Sequence, residues 1–304
     1  MSNDKIDDLF DKAAKQFNSS GKALDQDTVR LQEWLETQPH LPKMLDAQAL
    51  KNFLLLNKCS FEITKQKIDN YYSARSKVPE IAFEMNPKRP YFKEFKDMIY
   101  FVDYPQLTDE MYKITYFKPK GEIIPDKYEP VYTTRKYLVM QELRLRCDVM
   151  HGDILVFDCK GHTLNIALKA TPVFIYKTMV LLYQQIFSMR VKAVHVINMP
   201  PFVKTVINLI KGVLKPKLAA RIYIHSDEEV LKKLIPLNLL PVDFGGEGLS
   251  LQELEDDLEA RCVKNQELFD RLDEIKVDES LRPAKLEDDD TLGVYGSFKK
   301  LDID

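Results

Sequence analysis

The chain contains few cysteines and glycines and no long apolar segment. Its 304 residues include 4 cysteines and no CxxC pair, so we predict neither a zinc cluster nor a disulfide framework. The 10 glycines and 16 prolines exclude collagen-like and Pro/Gly-rich disordered chains. No run of about 18 apolar residues is present, and the acidic, polar residues 1–10 are unlike a secretory signal. We therefore expect a cytoplasmic protein that does not span a membrane.

Complete catalytic motifs are also missing. Residues 158–161 form a DxxG motif, which occurs in GTPases, but no GxxxxGK[ST] loop accompanies it. Residues 243–245 spell the kinase DFG without an HRD-like loop, and the five histidines show no HExxH spacing. We therefore predict no enzyme, no catalytic residue, and neither a metal nor a cofactor.

Composition and periodicity divide the chain into four parts. Residues 1–24 are expected to be a flexible N-terminus, and apolar residues at helical spacing predict a helical domain over residues 25–89. Over residues 90–250, short β-branched runs alternate with long helical stretches, which is typical of an α/β fold with a mostly parallel sheet and flanking helices. Capping boxes at Ser226 and Ser250 predict helix starts. Residues 251–304 are predicted to form an acidic C-terminal helix and tail.

Charge is distributed unevenly along the chain. The 44 basic and 47 acidic side chains give a net charge of -3, which argues against a nucleic-acid partner for the whole surface. Residues 159–226 nevertheless contain no Asp or Glu and carry a net charge of +10, whereas residues 253–290 carry -9. The basic segment is either an anion-binding patch or a solvated crossover surface.

Two apolar segments lie within this basic region. Residues 171–189 are apolar around most of a helical circumference, which predicts a helix buried on more than one side. Residues 200–218 begin with prolines and combine a broad apolar stripe with lysines. Such a basic amphipathic helix either lies on an anionic membrane, covers an apolar cavity, or is an ordinary packed crossover.

Four ordered segments carry a family resemblance. VFDCKGHTL (156–164), RVKAVHVINMPPFV (190–203), LKPKLAARIYIHSDEEVLKKLIP (214–236) and LLPVDFGGEG (239–248) resemble the successive signatures of the CRAL-TRIO lipid-binding family. Residues 49–80 are similar to the helical N-terminal domain that accompanies it. The resemblance covers about residues 25–250, and the size of the chain is most similar to the tocopherol and retinaldehyde carriers of that family.

This resemblance implies a fold and a function. It implies a CRAL-TRIO domain in which a lid helix, residues 200–214, closes an apolar pocket floored by the sheet. Family members move a small hydrophobic lipid between membranes without covalent chemistry, so the expected partners are a tocopherol-, retinoid- or other isoprenoid-like lipid and an anionic membrane surface. A phosphoinositide would promote lid opening by binding the basic residues that match the family's positions, which are Arg190, Lys192, Lys217 and Arg221.

The pocket is predicted from strand alternation and apolar helix faces. Its expected lining is Phe157, Met179, Tyr183, Phe187, Val194, Phe202, Val206 and Ile210. Two departures from the family pattern are Asn52–Lys58, where an Arg-rich segment is common, and His162, where an aromatic residue commonly follows the DxxG. The alternative function is a phosphoinositide-binding adaptor module without lipid transfer, and the chain is expected to be a monomer in either case.

Overall fold

The computed structural model describes residues 3–77, 84–169 and 187–283. Four N-terminal helices come first: α1 (Asn3–Lys15), α2 (Gly21–Glu36), α3 (Ala47–Leu56) and α4 (Phe61–Lys77). Helix α5 (Pro90–Met98) then leads into strands β1 (Ile99–Leu107) and β2 (Tyr112–Pro119). The N-caps explain where two helices begin, because the side chains of Ser20 and Asp46 accept hydrogen bonds from the first turns of α2 and α3.

The start of the chain differs from the sequence-based expectation. Residues 1–24 were predicted to be flexible, but α1 is a helix whose Phe10, Ala13 and Ala14 are buried. These side chains lie at i, i+3 and i+4, so they form one apolar face, and α1 packs through it against α2 and α3. The expectation of a flexible N-terminus was therefore wrong for the described residues from Asn3 onward.

The sheet has five strands in sequential order. After β1 and β2 come β3 (Gly152–Asp158), β4 (Val191–Ile197) and β5 (Ile222–Ile224). Strand β1 is antiparallel to β2, and the pairings β2–β3, β3–β4 and β4–β5 are parallel. The mostly parallel sheet is thus confirmed. Strand β1 was not predicted, because its hydrophobic residues directly follow a helix without an intervening turn signal.

Helices cover one face of this sheet. Helix α6 (Pro130–Cys147) connects β2 to β3, and its Tyr137 stacks on Phe101 of β1 at 6.1 Å between ring centroids. Its Arg144 binds Asp153 of β3 at 2.6 Å. Crossover connections between parallel strands are right-handed. Because β3, β4 and β5 are added to the sheet in the same direction, the later crossover helices lie on the same face as α6, which we call the helical face. These helices are α7 (Leu164–Lys169), α8 (Pro201–Val213) and the short α9 (Pro216–Ala219).

The opposite face is covered by residues 231–250. Tyr116 of β2 donates a hydrogen bond to the Leu239 carbonyl at 2.7 Å and stacks on Phe244 at 5.7 Å. The DFG sequence is therefore a structural turn, in which Gly245 has φ +75°, a left-handed conformation that glycine adopts without steric cost. This segment begins with the four-residue helix α10 (Leu231–Leu234).

Of the two predicted capping boxes, the one at Ser250 is formed and the one at Ser226 is not. The box at Ser250 is formed in full with Glu253 and starts helix α11 (Leu251–Lys264). The box predicted at Ser226 is not formed, because Ser226 Oγ bonds Asp227 instead and α10 begins only at Leu231. The predicted single C-terminal helix is divided at Asn265 and continues as α12 (Gln266–Glu274). The acidic run beyond residue 283 lies outside the described residues.

The helical N-terminal part is joined tightly to the sheet part. Asn52 of α3 is fully buried, and its amide donates to the backbone carbonyls of Leu145 at 2.9 Å and Asp148 at 2.8 Å. Its carbonyl oxygen accepts from the Met150 N–H at 2.8 Å. One side chain therefore satisfies three backbone groups where α6 ends, which fixes α3 against the start of β3.

Candidate functional site

An aromatic cluster, here called the aromatic floor, lies on the helical face of the sheet, where the sequence predicts the pocket. Phe101, Phe117 and Phe157 lie on adjacent strands at paired register positions and contact each other, with the Phe117 and Phe157 rings 5.3 Å apart. Paired residues point to the same face of a sheet, and Tyr137 of α6 covers Phe101 from that side. Phe157, a predicted pocket residue, therefore lies on the helical face near the carboxyl end of β3. Phe101 and Phe117 were not predicted as lining, because the pairing of β1 with β2 was not recognised.

Of the other predicted residues, Val194 lies on this same face and Phe187 lies before the amino end of β4. Val194 is paired with Leu155, two residues before Phe157, and is buried. Phe187 is fully buried, and its ring lies 5.8 Å from that of Tyr71 of α4, so the structure shows it packed against the N-terminal helices. Met179 and Tyr183 lie outside the described residues.

Helix α8 has the predicted lid sequence and is amphipathic. Pro201 occupies its first turn, where a missing N–H costs no hydrogen bond. Its apolar face is turned inward, with Val203, Ile207 and Ile210 buried and Phe202 and Val206 half-buried. Leu209, which the sequence placed in the apolar stripe, is instead 57% exposed. The predicted lining residues Phe202, Val206 and Ile210 thus all belong to the inward side of α8.

Polar contacts hold the beginning of this helix. Asn198, at the end of β4, has φ +51° and donates to Asp158 Oδ1 at 3.0 Å and to Glu228 at 3.2 Å. Asp158 Oδ1 also accepts from the Lys160 N–H at 2.8 Å, and Gly161 has φ +79°. The DxxG motif is therefore a turn that follows β3, and its Asp158 holds Asn198 at the carboxyl end of β4, shortly before α8 begins.

The four predicted phosphoinositide residues lie at the opposite edge of the sheet. Arg190 and Lys192 are at the amino end of β4, and Arg221 directly precedes β5, where its carbonyl accepts from Val194 N–H at 2.8 Å. Lys217 is in α9, one turn before Arg221. Parallel strands bring their amino ends to one edge, so the chain places these four cations together in what we call the basic edge.

Arg190 is occupied by structural contacts. Its Nη2 donates to the carbonyls of Leu55 and Leu56 at the C-terminal end of α3, and its guanidinium lies 4.2 Å from the centre of the Phe17 ring. Its Nη1 is 3.3 Å from His151 Nδ1. A cation at a helix C-terminus satisfies carbonyls that have no partner within the helix. Arg190 therefore joins the N-terminal helices to the sheet, a role that the sequence reading missed because the partners lie 134 and 135 residues away.

The other three residues of the basic edge are more accessible to an anion than Arg190 is. Lys192 is 49% exposed and pairs with the exposed Glu110 at 2.8 Å, a contact that raises the pKa of Lys192 while Arg221 opposes the shift. Arg221 is half-buried and donates to the Val191 carbonyl. Lys217 is exposed. An anion at this edge would thus meet Lys217 and Lys192 first, with Arg221 behind them.

Neither a metal-ligand cluster nor a membrane-spanning helix is found among the described residues. In that part of the chain, no group of three or more His, Cys, Asp or Glu side chains is arranged to hold a metal ion. Residues 3–77, 84–169 and 187–283 also contain no helix with the length and hydropathy needed to cross a bilayer.

The sequence matches two known domain families. Residues 98–246 match the CRAL/TRIO domain, and residues 21–92 match the Pinta-like, UBA domain. These spans overlap the predicted domains at residues 90–250 and 25–89.

Named relatives and a solved structure are also similar to this chain. Alpha-tocopherol transfer protein-like from Mus musculus is 28% identical over 247 residues, which are 79% of this chain and 70% of that protein. Clavesin-1 from Rattus norvegicus is 35% identical over 98 residues, or 32% of this chain and 27% of that protein. The crystal structure of Sfh5 aligns with a TM-score of 0.46 at 14% identity, covering 70% of this chain and 76% of that one. From the domain match and the named relatives, the chain is a member of the CRAL-TRIO family, with its CRAL/TRIO domain at residues 98–246.

Proposed function

We propose that this protein binds a small hydrophobic lipid under helix α8 and transfers it between membranes. The observation that carries the proposal is the amphipathic lid. Its apolar side is turned toward the protein, and a segment without acidic residues surrounds it. The membership in a lipid-binding family agrees with this assignment. The protein would act in the cytoplasm as a peripheral, transiently membrane-bound carrier without catalytic chemistry.

The energetics require a membrane for release. Burying a lipid with about 400 Å² of apolar surface is favourable by roughly 10 kcal/mol at about 25 cal/mol per Å². Association itself costs several kcal/mol, so the net affinity is still high enough to make escape into water slow. A carrier of this kind needs its lid to open where an apolar acceptor is present.

The outer surface near the lid is suited to a bilayer. Helices α7 and α8 contact each other, and Leu164, Leu168 and Leu209 on them are 51%, 60% and 57% exposed. Lys160 and Lys204 are exposed in the same region. Leucines favour the acyl boundary and each lysine near an anionic surface contributes about 1 kcal/mol, so this surface would dock on anionic membranes.

We further propose that a phosphoinositide binds the basic edge and favours lid opening. Helix α8 begins at the carboxyl edge of the sheet, and its C-terminal end continues through α9 to Arg221 at the basic edge. A headgroup bound to Lys192, Lys217 and Arg221 would therefore act on the chain segment that anchors the lid. Arg190 would support this edge rather than contact the phosphate directly.

Ligand identity is addressed first by extraction. The name of the mouse relative suggests tocopherol and related isoprenoids or retinoids as first candidates. Protein purified from its native source would be extracted with organic solvent and the bound molecule identified by mass spectrometry. A stoichiometric isoprenoid supports the carrier, and a phospholipid indicates phosphoinositide exchange. Protein that is empty and takes up no lipid from vesicles supports the adaptor module.

Two variants of the lid separate lipid retention from membrane docking. Ile210→Asp places an unpaired charge on the buried side of α8, so we expect lipid to be lost during gel filtration. Leu209→Asp changes the exposed side of the same helix and should leave retention intact while weakening binding to anionic vesicles. Equal retention by Ile210→Asp and wild type would show that the inward face of α8 does not line the pocket.

Two lysines test the basic edge. We expect the double change of Lys192 and Lys217 to Ala to slow lipid transfer to phosphoinositide-containing vesicles while ligand affinity stays nearly unchanged. The matched control replaces Lys93 and Lys276, which are exposed elsewhere. If both double variants slow transfer equally, the effect is one of general charge and the basic edge is not a specific site.

A further inference from the structure

A group of lysines lies where the lid helix α8 is followed by α9. Lys215, the residue before α9, and Lys217 within it are exposed. Lys67, in the second turn of α4, is close enough to Lys215 that burial and this second charge together lower the pKa of Lys67. We call these three residues the lysine cluster. Like charges held near each other are unfavourable, so a bound anion would stabilise the cluster.

Backbone contacts also place α4 beside the basic edge. Arg190 of the basic edge donates to the Leu55 and Leu56 carbonyls at the end of α3, and α4 begins at Phe61, five residues later. Lys67 lies about 9 Å along α4 from that beginning, at a rise of about 1.5 Å per residue. The lysine cluster therefore continues the basic edge onto the N-terminal helices.

The lysine cluster has few acidic neighbours. Residues 159–226 contain no Asp or Glu. Within the described ranges 3–77, 84–169 and 187–283, neither Lys215 nor Lys217 has an ion-pair partner. Asp69, two residues after Lys67, is already bound by Arg282. The negative charge that the cluster favours must therefore come from elsewhere.

Arg282 determines where the C-terminal tail leaves the protein. It donates to both carboxylate oxygens of Asp69 at 2.6 and 3.0 Å and to Ser73 Oγ at 3.0 Å, and its side chain is only 6% exposed. A two-pronged contact between arginine and a carboxylate defines orientation as well as position. The chain after Pro283 therefore begins beside α4, the helix that carries Lys67.

An acidic run follows this anchor closely in the sequence. Residues 287–290 are Glu-Asp-Asp-Asp and begin four residues after Pro283. An extended chain spans at most about 3.3–3.6 Å per residue, so the run can reach about 14 to 25 Å from Pro283. Lys67 is only two residues from the anchoring Asp69 on the same helix. The lysine cluster is thus within reach of the four carboxylates.

We propose that the acidic run, residues 287–290, binds the lysine cluster and competes with anionic membranes for it. Lys217 belongs to both the cluster and the basic edge, so one cation cannot serve the tail and a membrane at once. The tail would also bridge α4 to the end of the lid segment and hold the lid closed in solution. A strongly anionic membrane would displace the tail, which restricts opening to that surface. The inference rests on the proposed membrane docking and assigns its regulation to this chain itself.

Carbodiimide coupling tests the contact in the full-length protein. The reagent joins a carboxylate to an amine only where the two are in contact, and mass spectrometry identifies the joined residues. We expect residues 287–290 to be coupled to Lys67, Lys215 or Lys217, and not to Lys93, which is exposed on α5. High salt should abolish the coupling, because it screens charges at the surface.

Vesicle binding tests the competition. Vesicles of phosphatidylcholine and phosphatidylserine would be titrated with wild type and with a tail variant in which Glu287 is changed to Gln and residues 288–290 to Asn. We expect the tail variant to bind about tenfold more tightly, the effect of one or two additional lysines near an anionic surface. The matched control loses the same charge at four exposed positions elsewhere and should gain far less. It replaces Glu33, Glu36, Glu94 and Glu267 with Gln.

The outcomes separate the tail contact from the proposed function. Coupling to Lys93 as strong as to the cluster, or coupling only within covalent dimers, would overturn the contact within one chain. Equal gains by the tail variant and the matched control would overturn the competition. If the coupling forms but no variant binds anionic vesicles, the tail contact stands and the proposed membrane docking is overturned. Circular dichroism establishes that each variant is folded.

Discussion

Replacing Arg190 with alanine separates a structural role from a phosphate-binding role. The guanidinium donates to the carbonyls of Leu55 and Leu56, lies over the ring of Phe17, and is close to His151. The contacts with Leu55, Leu56 and Phe17 join the N-terminal part of the chain to the sheet. We therefore expect Arg190→Ala to lower the free energy of unfolding, whereas a residue that only binds phosphate would leave it unchanged.

The expected loss of unfolding free energy in Arg190→Ala follows from its individual contacts. Hydrogen bonds from a charged donor contribute about 1.5–3 kcal/mol. A partly buried cation over an aromatic ring adds about 1 kcal/mol. The expected loss for Arg190→Ala is therefore about 3 kcal/mol. Phe17→Leu removes only the ring and should cost about 1 kcal/mol. Lys217→Ala, at an exposed position, should stay within about 0.5 kcal/mol.

Urea unfolding followed by circular dichroism measures these differences. With a slope of about 3 kcal/mol per molar urea, the Arg190→Ala midpoint should fall by about 1 M relative to wild type. Binding to phosphoinositide vesicles, measured without urea, should decrease less than in the Lys192 and Lys217 double variant. An Arg190→Ala protein with wild-type stability but no vesicle binding would refute the structural role.

The remaining predictions concern the domain junction and pH. Asn52→Leu leaves the Met150 N–H without its partner and removes the Asn52 bonds to the Leu145 and Asp148 carbonyls, of which the Asp148 carbonyl keeps the bond from Gln48. Urea unfolding should therefore show a loss of about 3 kcal/mol, against less than about 1 kcal/mol for Gln48→Ala, whose single bond is half-buried. Burial and the neighbouring His225 lower the pKa of His195 to about 4, which NMR titration of the ring would measure. Because His195 is neutral when folded and takes up a proton when unfolded, its contribution to stability is present above about pH 6.5 and decreases toward pH 4. His195→Gln should flatten that part of the pH profile, and an unaltered profile would contradict the assignment.

The amino-acid sequence by itself determined the features that depend on near neighbours along the chain. The alternation in residues 114–117 and 154–157 predicted β2 and β3, and the prolines and apolar stripe of residues 200–214 predicted helix α8. The Ser250 capping box marked the start of α11, because both of its hydrogen bonds span three residues. The CRAL-TRIO resemblance was carried by the same local segments and was confirmed by the family match.

Only the tertiary structure decided which basic side chains are bound by other parts of the protein and which remain exposed to a ligand. Arg190 and Lys192 are two residues apart and equally basic in the sequence, yet Arg190 is held by α3 and Lys192 is exposed. Phe101 joined the aromatic floor only through the pairing of β1 with β2. The partners of these residues are distant along the chain, and local periodicity contains no information on which distant backbone or ring will pack against a given side chain. That is why the lid could be predicted from its sequence, whereas the division of roles at the basic edge could not.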